Sequence, residues 1–136
     1  MNAADMITPS PTWYVMFSGD TKRRNLIDWI SPLDFLHVNT FCYDARAGRW
    51  LIYDVNRGGV ALKAATSEEM DMWIGAMRSV GARILKVEWK ERQRIPLQIG
   101  MWCVVAVRYA IGCKSLAIRP IGLYRDLLKQ GAQAFP

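Results

Sequence analysis

Hydrophobic and polar positions alternate in short blocks along the first half of the chain, and each block ends in a turn signal. Residues 1–11, MNAADMITPSP, show no period and read as a flexible arm. Thr12 to Phe17 is aromatic and β-branched and runs into Ser18-Gly19-Asp20, which predicts a strand and a turn. Lys22 to Ile30 places Leu26, Ile27 and Ile30 at helical spacing with Trp29 beside them, and Pro32 ends that short helix. Leu33 to Tyr43 reads as a second strand. Asp44 to Gly48 is then a hairpin loop into Arg49 to Val55, and Asn56 to Gly59 turns into a further strand, Val60 to Lys63. The pattern predicts a meander of antiparallel strands.

The second half switches between periods. Thr66 or Ser67 can cap a helix whose first turn carries Glu68 and Glu69, and Met70, Trp73, Ile74 and Met77 fall on one face. Gly81 ends it, and Ala82 to Trp89 alternates as another strand. Pro96 lies in the connection that follows. Trp102 to Ile111 is an apolar helix stopped at Gly112, and Pro120 begins a last helix through Ile121, Leu123, Tyr124, Leu127 and Leu128. The expected class is α+β, a central antiparallel sheet of about four to six strands with flanking helices. One domain spans 12–130, between the 1–11 arm and a 131–136 tail, and no internal repeat is present.

Composition narrows the functions. A chain of 136 residues with 51% hydrophobic positions builds one modest core. Its longest apolar run, Ile99 to Ile111, contains Arg108 and falls short of the roughly 20 residues of a membrane span. The first residues lack a secretory pattern, so the expected location is the cytoplasm. The net charge of +6 comes from scattered residues with only short clusters, Thr21 to Arg24 and Lys90 to Arg94, so nucleic-acid contact is at most secondary. Three cysteines without CxxC spacing and a single histidine leave too few soft ligands for a zinc site, and the odd count leaves at least one free thiol. No GxGxxG, Walker or GxSxG pattern is present, so no metal and no cofactor is expected.

What chemistry remains centres on three residues. A lone histidine is more often structural than catalytic, but His37 lies in an apolar strand with Asn39 on the same face, where a rigid element aims its ring. Across the predicted hairpin, residues pair when their numbers sum to about 92, which can bring Asp54 beside His37. There a carboxylate fixes the tautomer and stabilises the imidazolium; the alternative is that Asp54 only begins the Asp-Val-Asn turn. Cys103 would open the apolar helix, where unpaired amides and the positive dipole end favour thiolate. Cys42 has the opposite strand parity to His37, and Cys113 follows the helix stop. The Cys103 amide and the Gln98 side chain are candidate donors to an oxyanion, although Gln98 also reads as an ordinary loop residue. Asn39 and Trp102 are candidates to line the site, and Asn39 competes with Asp54 as the third catalytic group.

This order, a strand-borne His, a polar residue on the next strand, then a Cys opening a buried helix, resembles the circularly permuted branch of the NlpC-type papain-like cysteine hydrolases. The segments FLHVNTFCY, RWLIYDVNRGG, MWCVVAVRYAIGCKS and IRPIGLYRDLL are similar to small proteins encoded by tailed bacteriophages and prophages. The resemblance covers about Trp13 to Leu128. It implies a papain-like core, Cys103 as nucleophile, His37 as general base and Asp54 as the orienting residue. It implies action on an amide, peptidoglycan-peptide or ester bond. The alternative it carries is a virion protein that keeps the fold for assembly, with protein partners in the particle and an unused site. Papain-type enzymes usually have small residues before the nucleophile; Met101 and Trp102 are bulky, so Trp102 either lines a substrate groove or closes it.

Overall fold

A computed structural model of the chain describes residues 12–19, 35–56, 59–88 and 102–136. The predicted helix at Lys22 to Ile30, Pro96 and Gln98 lie outside them. Six strands and three helices follow in the order β1 (Trp13–Ser18), β2 (His37–Asp44), β3 (Arg49–Asn56), β4 (Gly59–Ala65), α1 (Ser67–Ser79), β5 (Arg83–Val87), α2 (Cys103–Ile111), α3 (Pro120–Lys129) and β6 (Gln133–Phe135). The strands form one antiparallel sheet ordered β4-β3-β2-β1-β5-β6. The protein is therefore α+β.

Strand alternation gives the sheet two apolar faces. Val15, Phe17, Val38, Leu85 and Val87 pack against Val104, Val107 and Ile111 of α2 and Leu123 and Leu127 of α3. On the opposite face Met16, Phe41 and Ile84 meet Met70 of α1, with Trp73, Ile74 and Met77 partly buried around them. A two-sided sheet explains why β1 reads as an unbroken apolar run: both sets of its side chains are covered.

Helix ends follow local chemistry. Thr66 caps α1 by accepting from the Glu69 amide, and Glu69 returns a bond to the Thr66 amide, a reciprocal pair that selects Thr66 over Ser67 as the cap. Gly112 ends α2 in the left-handed region at φ 70, which favours glycine. Pro120 occupies the first turn of α3. Before it, Ser115 Oγ donates to Asp126 Oδ2 at 2.5 Å and accepts from the Ala117 amide at 3.0 Å, fixing the connection from α2.

Two elements differ from expectation. The segment read as a C-terminal tail carries β6, whose Phe135 packs edge-on against Tyr14 and lies under the Arg78 guanidinium, 5.3 Å from the ring centroid. Arg78 also donates to the Phe135 and Pro136 carbonyls. Three residues paired with β5 and held by one ring and one cation show no sequence period. The second strand begins at His37, four residues later than the apolar run, with Phe35 packed between Phe17 and Tyr124 instead of in the ladder. Among the described residues, no helix is long and apolar enough to cross a membrane.

Buried Cys113 gives the fold an alkaline limit. It is fully buried, and desolvation pushes its thiol up from 9.0 to about 11. Because the folded-state value exceeds the unfolded one, this stabilisation is complete below about pH 9 and is lost as pH rises through about 11. The expected loss is on the order of 2–3 kcal/mol. Urea midpoints measured from pH 8 to 11 should fall more steeply for the wild type than for Cys113→Ala; parallel curves would refute this.

Candidate active site

Cys103 is the first residue of α2, preceded by Trp102 in extended geometry at φ −130, ψ 171 with no side-chain cap. Among the described residues no side chain caps the first-turn amides, which can therefore act on the thiol. The helix carries the sulfur to this place because Val104, Val105, Ala106 and Val107 are all buried, which holds α2 down on β2 and β3.

At that point the two strands part. The β2–β3 ladder runs from Thr40↔Tyr53 to Asp44↔Arg49, so His37, Val38 and Asn39 lie beyond its end. β2 keeps β1 as a neighbour there, with Ser18↔His37 and Phe17↔Val38 in register. The Val38 amide, past the end of the β3 pairing, and the Val104 amide of the helix's own first turn both favour the thiolate of Cys103.

His37 completes the arrangement. Its Nε2 donates to Asp54 Oδ1 at 2.6 Å, and its ring stands close enough to the Cys103 thiol for each group to shift the other's proton affinity. Nε2 is committed to the carboxylate, which leaves Nδ1 as the nitrogen that can exchange a proton with sulfur. In the observed register the pair numbers sum to 93. Extended past the ladder, this places Asp54 opposite Asn39 and diagonal to His37, within side-chain reach. The Asp54 carboxylate is held in turn by Asn56 Nδ2, 3.5 Å from Oδ2.

The electrostatics favour an ion pair. The Cys103 side chain raises His37 above its ordinary value; burial opposes this, and Asp54 adds to the rise. For Cys103, half-burial pushes the thiol up, but the His37 ring, the Val38 amide, the His37 charge and the Val104 amide together bring it below its ordinary value. Proton transfer from sulfur to imidazole is thus promoted from both ends. Burial raises the other two thiols, Cys42 with help from Asp44 and Cys113 as above.

The structure thus brings Cys103, His37 and Asp54 together. Trp102 beside them is 39% exposed and Cys103 is only partly buried, so the indole does not seal the sulfur. Asn39 shares the His37 face of β2 but is buried, with Oδ1 lacking a hydrogen-bond partner among the described residues. Asp54, not Asn39, meets the imidazole. Sequence reasoning missed the Val38 amide and Asn56. The first depends on where the β2–β3 ladder stops, which no residue type announces; the second was legible only as part of the turn after Asp54.

Among the described residues, no group of three or more His, Cys, Asp or Glu side chains could hold a metal ion. No family model, curated protein or solved structure matches the chain.

Proposed function

We propose that this protein is a thiol hydrolase or acyltransferase that opens an amide, peptide or ester bond through Cys103, His37 and Asp54. The observation that carries this is the position of one imidazole, bonded to a carboxylate and coupled electrostatically to a helix-start thiol whose proton affinity it lowers.

The thiolate attacks the substrate carbonyl carbon, and the carbonyl electron pair moves onto oxygen. Amides at the start of α2 and the Val38 amide surround the reacting sulfur, and donors so placed can stabilise the developing oxyanion. As the intermediate collapses, the His37 imidazolium gives its proton to the leaving nitrogen or oxygen, the scissile bond breaks, and a thioester remains on Cys103. Neutral His37 then takes a proton from water, whose oxygen attacks the thioester carbon. Collapse of this second intermediate releases the acid, and thiolate and imidazolium are restored. An amine in place of water gives acyl transfer. Asp54 holds the ring through Nε2 and stabilises its cation.

We propose further that it is a permuted NlpC-type papain-like hydrolase encoded by a phage and acting on cell-wall peptides; the motive for this is the chain order, a histidine strand before a cysteine helix, set on an antiparallel sheet. Reaction with p-nitrophenyl acetate tests the chemistry. The account expects a burst of one p-nitrophenolate per chain and an acetyl group on the Cys103 peptide. Acetylation spread over Cys42, Cys113 and lysines, with no burst, would overturn it.

A further inference from the structure

A cavity of about 410 Å³ lies on the α2 side of the sheet, lined by Trp13, Cys42, Leu51, Tyr53, Leu62, Tyr109 and Ala110. No lining residue carries a formal charge at neutral pH, and burial raises the Cys42 thiol. A charged guest would lose its hydration without finding a counter-charge there. The volume falls in the range of small-molecule sites, and three of the walls are aromatic rings, which favour edge-on packing with another ring.

The cavity shares two elements with the thiol site. Tyr53 ends the β2–β3 ladder and is the residue before Asp54. Tyr109 and Ala110 stand six and seven residues after Cys103 on α2. At about 1.5 Å of rise per residue, the cavity lies roughly 9–10 Å along the helix from the sulfur. Leu62, in its wall, is 70% exposed, so the cavity is open at edge strand β4 and its apolar lining meets solvent.

We infer that this cavity is the specificity subsite of the proposed reaction, holding an aromatic ring that the acyl donor carries about 10 Å from the scissile carbonyl. The inference rests on the thiol reading for its substrate but on the cavity for its ligand class. The ring would pack among Trp13, Tyr53 and Tyr109 while the carbonyl reaches Cys103.

p-Nitrophenyl esters of acetic, 3-phenylpropanoic, 5-phenylpentanoic and 7-phenylheptanoic acids move a ring outward in steps. The expected kcat/KM rises with the longer spacers to about tenfold or more above the acetyl ester. Ala110→Phe, which fills the cavity, should lower the ratio of 7-phenylheptanoyl to acetyl ester by a similar factor. Leu51→Ala, which enlarges it, should also lower the ratio by loosening the fit, and thermal melting checks that each variant folds. A ratio independent of spacer length, or unchanged in both variants, overturns the inference. Calorimetric binding of 7-phenylheptanol to the Cys103→Ala protein reads the cavity without turnover. Failure of Cys103 to release p-nitrophenolate from any ester, with the alcohol still bound and displaced by Ala110→Phe, would refute the catalytic reading alone. Absence of alcohol binding with acetyl turnover intact would refute the subsite alone.

Discussion

His37→Ala should cost about 10³–10⁴ in kcat/KM for an activated ester, a loss comparable to that from Cys103→Ala. Removing the imidazole removes both the partner that favours thiolate and the acid that protonates the leaving group. It also leaves the sulfur with burial as its dominant influence, opposed only by the Val38 and Val104 amides, so the thiol should ionise at higher pH than in the wild type. Because the two groups act as one unit, the double variant should be scarcely worse than either single one. Additive losses in the double variant would show that the residues act separately. Asp54→Asn should fall between wild type and His37→Ala, since the amide keeps a partner for Nε2 but removes the charge that stabilises the imidazolium.

The second large effect concerns the frame under the site. Phe17→Ala should destabilise the fold by about 3–5 kcal/mol, seen as a fall in melting temperature of roughly 10 °C or more. Phe17 is fully buried between Phe35 and Tyr124, with ring centroids 5.4 and 5.1 Å away. It also pairs with Val38, whose amide favours the Cys103 thiolate, while the neighbouring Ser18 carbonyl accepts from the Leu36 amide at 2.9 Å. Its loss therefore loosens the start of β2 as well as the core. Phe17→Leu, which keeps most of the volume, should retain most of the stability and the alkylation rate of Cys103. A melting point for Phe17→Ala within a degree or two of wild type would contradict the packing described.

Much of this was legible because local signals agreed with the fold. Glu68 and Glu69 after Thr66, Gly112 after the apolar helix, and Pro120 in its successor mark helix boundaries whatever the tertiary context. The hairpin at Asp44 to Gly48 has a loop short enough to set the β2–β3 register, and that register carries Asp54 toward His37. The predicted sum of about 92 was one short of the observed 93, a shift the diagonal contact between Asp54 and His37 absorbs. What the sequence did not show was non-local. The β2–β3 ladder stops at Thr40 because of how two strands diverge, and β6 is held by its pairing with β5 and by Tyr14 and Arg78, all distant in sequence. The cavity beside Tyr53 arises from the same cause, since its walls come from β1, β2, β3, β4 and α2.

Everything proposed for the site depends on Cys103 and His37 forming a thiolate–imidazolium pair, which the pH dependence of iodoacetamide labelling reads directly. Rates should be measured residue by residue by peptide mapping, in wild type and His37→Ala. In wild type, Cys103 should react at neutral pH about a hundredfold faster than Cys42 or Cys113, with its rate limb below the ordinary thiol range. In His37→Ala that limb should move to higher pH and the advantage at neutral pH should collapse. A Cys103 profile that rises with one ionisation at the ordinary thiol value and is the same in both proteins would contradict the ion pair.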